Sequence, residues 1–256
     1  LRWTREEYER PTYLSGLFFH NIVRRWPTNA THDPNGYIMP HNEGLQLMDG
    51  GRTSREDDYT NQQISLIAHP VKDLTIKAEN NYNTTTYFTH GEIFPVYWHD
   101  KDGNPIAAKW DDWKQAGLSE VSEQAQKVNY FSGRYFAEYA REWGKHDFKV
   151  VGGLDLEVRK YRNLSGSKKD IITSEVPTLN TATNDKPGLS GGYNHWSTMG
   201  MFARVNYAYD SRYLVEVSVR RDGSSRFIGD KTWATFPSFS LGWNVANEDF
   251  FKPLKN

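Results

Sequence analysis

The chain has 256 residues, enough for one large β domain or two ordinary ones, and its 31 Lys and Arg nearly cancel its 32 Asp and Glu. That balance leaves no net field to draw it to nucleic acid or to an anionic membrane surface, and the absence of cysteine excludes a disulfide framework and thiolate metal sites. The mean hydropathy is only -0.77, yet the chain carries 9 Trp, 15 Tyr and 13 Phe, and no apolar run approaches the length of a membrane-spanning helix.

In chain order, Leu1 to Leu14 supplies a first strand, and 15 to 60 reads as a long connection. Gln62 to Ala68 and Leu74 to Tyr87 form a hairpin around His69-Pro70-Val71-Lys72-Asp73. A second long connection, 89 to 125, holds Asp100-Lys101-Asp102-Gly103-Asn104. This string looks like part of a calcium loop but lacks the closing Glu, so it reads as a Gly-containing turn, and no metal is expected. The same connection holds Trp98, Trp110 and Trp113 beside Asp111 and Asp112. Flat rings next to carboxylates suit stacking on sugars with hydrogen bonds to their hydroxyls. These five are the candidate ligand-binding residues; the alternative is that the rings pack within the loop or against a lid.

From Lys127 to Arg141 the alternation is strict, with Arg134 and Glu138 on one face. After Trp143-Gly144-Lys145-His146, the residues Phe148, Val150, Gly152, Leu154, Leu156 and Val158 form a nearly pure apolar face. The opposite face carries Lys149, Asp155, Glu157 and Arg159, too many ionisable groups for a protein core, so it must meet water. A third long connection runs from 162 to 194. Trp196 to Tyr209 repeats the pattern, Asp210-Ser211-Arg212 reverses the chain, Tyr213, Val215, Val217 and Val219 continue the apolar face, and Asp222-Gly223 marks a tight turn. A last strand, Thr232 to Ala246, turns Trp233, Phe239, Leu241 and Trp243 outward, with Pro237 expected at a bulge or an edge.

The total is about eight strands joined by alternating short turns and long loops, the pattern of outer-membrane barrels, whose short turns are periplasmic and long loops extracellular. Outward rings such as Tyr135, Tyr139, Trp233 and Trp243 are assigned to membrane anchoring. Such a sheet alone would have two open edges, so the remaining strands are expected outside this segment. The chain begins at Leu1 without a signal peptide, so export would require an upstream portion. Arg204, Glu216, Arg220 and Arg226 read as lumen-facing charges in a salt-bridge network. No HExxH, GxSxG or GxxxxGK[ST] string occurs, so no catalytic residue and no cofactor is assigned and an enzyme is not expected.

Several strings resemble the SusC/RagA family of TonB-linked outer-membrane proteins. They are Arg24-Arg25-Trp26-Pro27-Thr28 with Asp33-Pro34-Asn35-Gly36, then Val71-Lys72-Asp73-Leu74-Thr75-Ile76, then Gly144-Lys145-His146-Asp147-Phe148. The fullest run joins Phe202-Ala203-Arg204-Val205-Asn206-Tyr207, Arg220-Arg221-Asp222-Gly223-Ser224-Ser225-Arg226-Phe227 and Phe236-Pro237-Ser238-Phe239-Ser240-Leu241-Gly242-Trp243. The resemblance implies an all-β fold in which residues 1–256 are a segment of a transmembrane barrel of about 22 strands, its plug domain and TonB box lying outside the segment. It further implies active import across the outer membrane, a SusD-like surface lipoprotein over the mouth, TonB on the periplasmic side, and an oligosaccharide or, in some members, a peptide as cargo. Two other readings compete: a passive or adhesive barrel, and a secreted β-rich carbohydrate-binding module.

Overall fold

The computed structural model describes all residues except 14, 40–41, 109–116 and 255–256. Its strands are β1 (Arg2–Pro11), β2 (Arg52–Val71), β3 (Leu74–Ile93), β4 (Tyr97–His99), β5 (Pro105–Ala107), β6 (Glu120–Trp143), β7 (His146–Lys169), β8 (Gly188–Tyr209), β9 (Tyr213–Ser224) and β10 (Trp233–Trp243). Eight of them form one antiparallel sheet in the order β1-β2-β3-β6-β7-β8-β9-β10, while β4 and β5 make a separate small hairpin. Neighbours in sequence are neighbours in space, as an up-and-down wall requires.

The registers carry each face across the sheet without interruption. Leu74 lies opposite Tyr139, Tyr139 opposite Val150, Val150 opposite Val205, Val205 opposite Val217, and Val217 opposite Phe239. Side chains directly opposite share a face, so this row is apolar from β3 to β10. Among the described residues nothing covers it: Leu241 is 69% exposed, Leu66 65% and Phe239 63%. The buried apolar residues among those described are Tyr13, Leu45, Val96, Ala108, Val121 and Ala182, which all sit at the loop end. The sheet therefore has no core of its own on either face.

The short reversals lie at one end. Lys72-Asp73, Gly144-Lys145 and Asp210-Ser211-Arg212 join adjacent strands there, and Asp73, Gly144, Asp210 and Ser211 take positive φ. Asp and Gly tolerate that left-handed conformation at low cost. Connections 12–51, 94–119, 170–187 and 225–232 lie at the other end. The first contains α1 (Ser15–Arg24) and α2 (Gly44–Asp49).

Three expectations are corrected. Strands run further toward the loops than the apolar alternation indicates: β6 and β7 have 24 residues each, because a ladder of backbone bonds continues where both faces are already polar. The hairpin after β2 is tighter than His69 to Asp73, since the strand runs to Val71 and its pairing resumes there, opposite Leu74, after a register shift that spans Pro70, which has no N–H to give the ladder. Asp222 and Gly223 are paired within β9, opposite Gly200 and Met199, and the reversal falls at 225–232 instead. Pro237, expected at a bulge or an edge, lies at an edge: it faces Val219 on the last strand of the sheet, and β10 pairs with β9 in unbroken register.

Candidate functional site

The polar face carries its chemistry in one row. Glu79 lies opposite Arg134, Arg134 opposite Asp155, Asp155 opposite Gly200, and Gly200 opposite Asp222. Arg134 Nε donates to Asp155 Oδ1 at 2.8 Å, Arg220 Nη1 donates to Asp155 Oδ2 at 3.0 Å, and Arg220 Nε donates to Asp222 Oδ1 at 2.7 Å. Arg220 stands on β9 and Asp155 on β7, so the guanidinium must cross β8. It does so over Gly200, where a Cβ would fall 2.5 Å from Arg220 Nη2 and 2.5 Å from Asp222 Oδ1. The missing side chain is what lets the bridge form. Asp155 is sheltered at 18% exposure while Arg134 and Arg220 stay about half exposed, so these charge-assisted bonds hold their geometry in contact with water.

Of the four arginine and glutamate residues singled out from the sequence, Arg204, Glu216 and Arg220 share that face, and the four do not form one network. Arg220 joins Asp155 and Asp222; Arg204 and Glu216 approach only to 3.8 Å, both well exposed. Arg226 lies past the end of β9 and stacks over the ring of Trp196 at 4.8 Å. Trp196 in turn meets Tyr130 at 6.4 Å, so two rings and a guanidinium lie above the ion pairs on the loop side. A hollow of about 730 Å³ opens between these groups, lined by Tyr130, Arg134, Asp155, Arg220, Phe227 and Phe236. The alternation in the sequence assigns Arg134 and Asp155 to the water-facing side, but the crossing of Arg220 over Gly200 depends on register, for which single strands give no signal.

At the loop end, Trp98 lies in β4 and packs against Leu45, Val96 and Ala108. Its neighbour His99 stacks on Tyr37 at 3.8 Å. Trp110, Asp111, Asp112 and Trp113 lie outside the described residues. Asp100 spends both oxygens on its own turn: Oδ1 accepts from the backbone N–H of Asp102 and Asn104, and Oδ2 from Asn104 Nδ2. Those bonds, the Asn104 side chain first, hold its carboxyl below the usual range, and among the described residues no group of three or more acidic or imidazole side chains is placed to hold a metal. One cluster carries no sequence signal. Tyr13 Oη donates to Glu43 Oε2 at 2.6 Å, Asn21 Nδ2 donates to Tyr13 Oη at 2.6 Å, and Arg25 pairs with the other Glu43 oxygen. Burial, reinforced by Glu43, pushes the Tyr13 hydroxyl up, so it stays a donor and ties the end of β1 to α1 and to the lead into α2.

At the turn end, Glu248 is 7% exposed and accepts from Trp243 Nε1 at 3.0 Å, Tyr213 Oη at 2.8 Å and Arg212 Nη1 at 3.0 Å. These partners, the Trp243 and Tyr213 bonds first, hold its carboxyl below the ordinary glutamate range. A depressed folded pKa stabilises the fold above the unfolded value of about 4.3, and that contribution is lost as pH falls through the lower folded value. Glu248→Gln is therefore expected to weaken protection of 245–254 at neutral pH and to remove the acid-side loss below about pH 4. Hydrogen exchange followed against pH reads both effects.

No protein-family model matches the chain. A TonB-dependent receptor of Formosa agariphila, P39, is 48% identical over 127 residues, which is 48% of this chain and 12% of that protein. TonB-dependent receptor SusC of Bacteroides thetaiotaomicron is 34% identical over 137 residues, 53% of this chain and 13% of SusC, and receptor P3 of Formosa agariphila is 32% identical over 131 residues, 51% of this chain and 13% of P3. The chain thus spans about an eighth of the length of the curated relatives it matches. Among solved structures, the RagAB peptide importer in its open-open state superimposes with a TM-score of 0.67 at 22% identity, covering 80% of this chain and 21% of that one. The closed-closed state gives 0.67 at 23%, covering 80% and 22%. At that identity the likeness establishes the fold. The SusC/RagA resemblance read from the strings above is borne out by both comparisons, and these relatives are named as receptors and importers.

Proposed function

We propose that this sheet is part of the wall of an outer-membrane barrel that imports nutrient oligomers, with energy from TonB and with a SusD-like lipoprotein over its mouth. The observation that carries the reading is the pair of faces: an uncovered apolar row from Leu74 to Phe239, backed by a water-compatible face with the Arg134–Asp155–Arg220 ion pairs. Only lipid on one side and a hydrated lumen on the other satisfy both at once. Each open edge, β1 and β10, would then pair with further strands of a barrel of about 22. Glycan oligomers are the first reading for cargo; a peptide is the second, favoured by the structural likeness to a peptide importer. The role is transport and not catalysis.

The test is made on the full-length protein in membranes. Its intact mass should be about 100 kDa, the scale of a large barrel with a plug. Uptake of labelled oligosaccharide should stop when TonB is deleted, whereas a passive barrel would keep importing. A soluble product near the mass of this chain alone would sink the transport reading in favour of a secreted binding module. For cargo contact we propose Trp98, Trp110 and Trp113 with Asp111 and Asp112 in the loop between β3 and β6. Trp110→Ala with Trp113→Ala should weaken oligosaccharide binding by about tenfold or more, the scale of losing buried aromatic anchors. Unchanged affinity in a folded variant would remove these rings from the site.

A further inference from the structure

On the apolar face of β7, the alternating run from Phe148 to Val158 ends abruptly, and the next two residues on that face are Lys160 and Arg162. Ten residue steps at about 3.3 Å, tilted by about 40°, rise about 25 Å, the height of an apolar barrel band. Lys160 thus begins where hydrocarbon gives way to headgroups. The registers add a third cation: Lys127 on β6 lies directly opposite Arg162, with Asn129 opposite Lys160 and, on β8, His195 opposite Lys160 and Tyr193 opposite Arg162.

Lys127, Lys160 and Arg162 are all exposed, and among the described residues none has an ion pair or hydrogen bond. Nearby carboxylates on the same face are already engaged: Glu123 lies 2.6 Å from His90 Nδ1, and Asp58 accepts from Arg5 at 2.8 Å. Like charges directly opposite on a sheet destabilise it, and elsewhere this chain pairs such charges, as in Arg134 with Asp155 or Lys149 with Glu138. Three cations side by side, with the nearby carboxylates of the chain already engaged, form a surface suited to an anion from outside the protein.

We propose that Lys127, Lys160 and Arg162 form a docking site for the phosphates of a phosphorylated glycolipid headgroup in the outer leaflet, a site that rests on the apolar face being lipid-facing. The guanidinium of Arg162 offers a planar fork to two phosphate oxygens, Lys127 and Lys160 add point charges on either side, and Tyr193, 55% exposed, stands at the level that interfacial rings favour. Such a lipid would be held at one place on the wall, where an acyl chain can lie along the β6–β7 apolar surface beneath it.

The test uses the full-length protein in bilayers of phosphatidylcholine containing a few per cent of a bisphosphorylated glycolipid, or its dephosphorylated form, with bound lipid counted by native mass spectrometry. Wild type should retain the phosphorylated lipid selectively. The triple variant Lys127→Gln, Lys160→Gln, Arg162→Gln should lose about fivefold in affinity per cation, about a hundredfold in all. Lys72→Gln, which removes a charge at the opposite end of the sheet, should retain it. Equal retention by the triple variant while it remains bilayer-inserted would overturn the site and leave the wall reading standing. Failure of the wild type to insert would overturn both. Displacement of the lipid by millimolar inorganic phosphate, itself lost in the triple variant, would make the ligand a soluble anion and overturn the lipid assignment.

Discussion

Val217→Arg is expected to destabilise the full-length barrel by about 2 to 4 kcal/mol. Val217 sits midway along β9 on the uncovered face, between Val205 and Phe239, so a guanidinium there is surrounded by apolar groups with no partner on either flanking strand. The long side chain can reach only part of the way to the interface. The matched control is Ser240→Arg, on the opposite face and directly across from Glu216, expected to shift stability by no more than about 0.5 kcal/mol. Unfolding in vesicles, titrated with urea, compares the two. Equal tolerance of both charges would mean that the two faces see the same solvent, and the lipid-facing assignment would fall.

Gly200→Leu is expected to cost about 2 to 3 kcal/mol, near the upper end for overpacking, because it fills the channel through which Arg220 reaches Asp155. Gly200→Ala should cost less, about 1 kcal/mol, since the groups it meets are the far ends of flexible side chains that can move aside. The specific signature is non-additivity. If the cost of Gly200→Leu comes from expelling Arg220, then adding Arg220→Gln to the Gly200→Leu variant should change little further, although Arg220→Gln alone is costly. Full additivity in a double-mutant cycle would show that the glycine matters for some reason other than the bridge.

How much of this was legible in sequence follows from where hydrophobicity alternates. Phe148 to Val158, Met199 to Tyr209 and Tyr213 to Val219 have an apolar residue or glycine at every second position, and all three are strands facing as the alternation indicates. The turns at Gly144-Lys145 and Asp210 to Arg212 carry the residues that left-handed backbone selects, and they are where the chain reverses. The loop-side ends of β2 and β6 are different. Arg55 to Asp58 and Ser122 to Gln124 have polar groups on both faces, so nothing in their pattern marks them as strands, and pairing with neighbours alone extends them. The β4–β5 hairpin and the Tyr13–Glu43–Arg25 cluster are built by contacts between segments distant in sequence, which one-dimensional periodicity does not encode. The ion-pair row was half legible: alternation sorts Arg134, Asp155 and Arg220 onto one face, but only the register shows that Gly200 lies beneath the last of them.

Pro237 bears on the free side of β10. Asn244 N–H donates to Arg212 O, so even-numbered residues of β10 bond to β9, and the nitrogen of Pro237 points to the free side. A second copy of β10 arriving there would find a missing donor in the middle of the strand, and two such edges meeting would each bring the same gap. Where that side of β10 is unpaired, the gap disfavours edge-to-edge pairing between identical chains. A strand pairing with β10 on that side must leave a carbonyl opposite Pro237 to water or to a side chain, so that seam is one ladder bond short of the seam between β10 and β9.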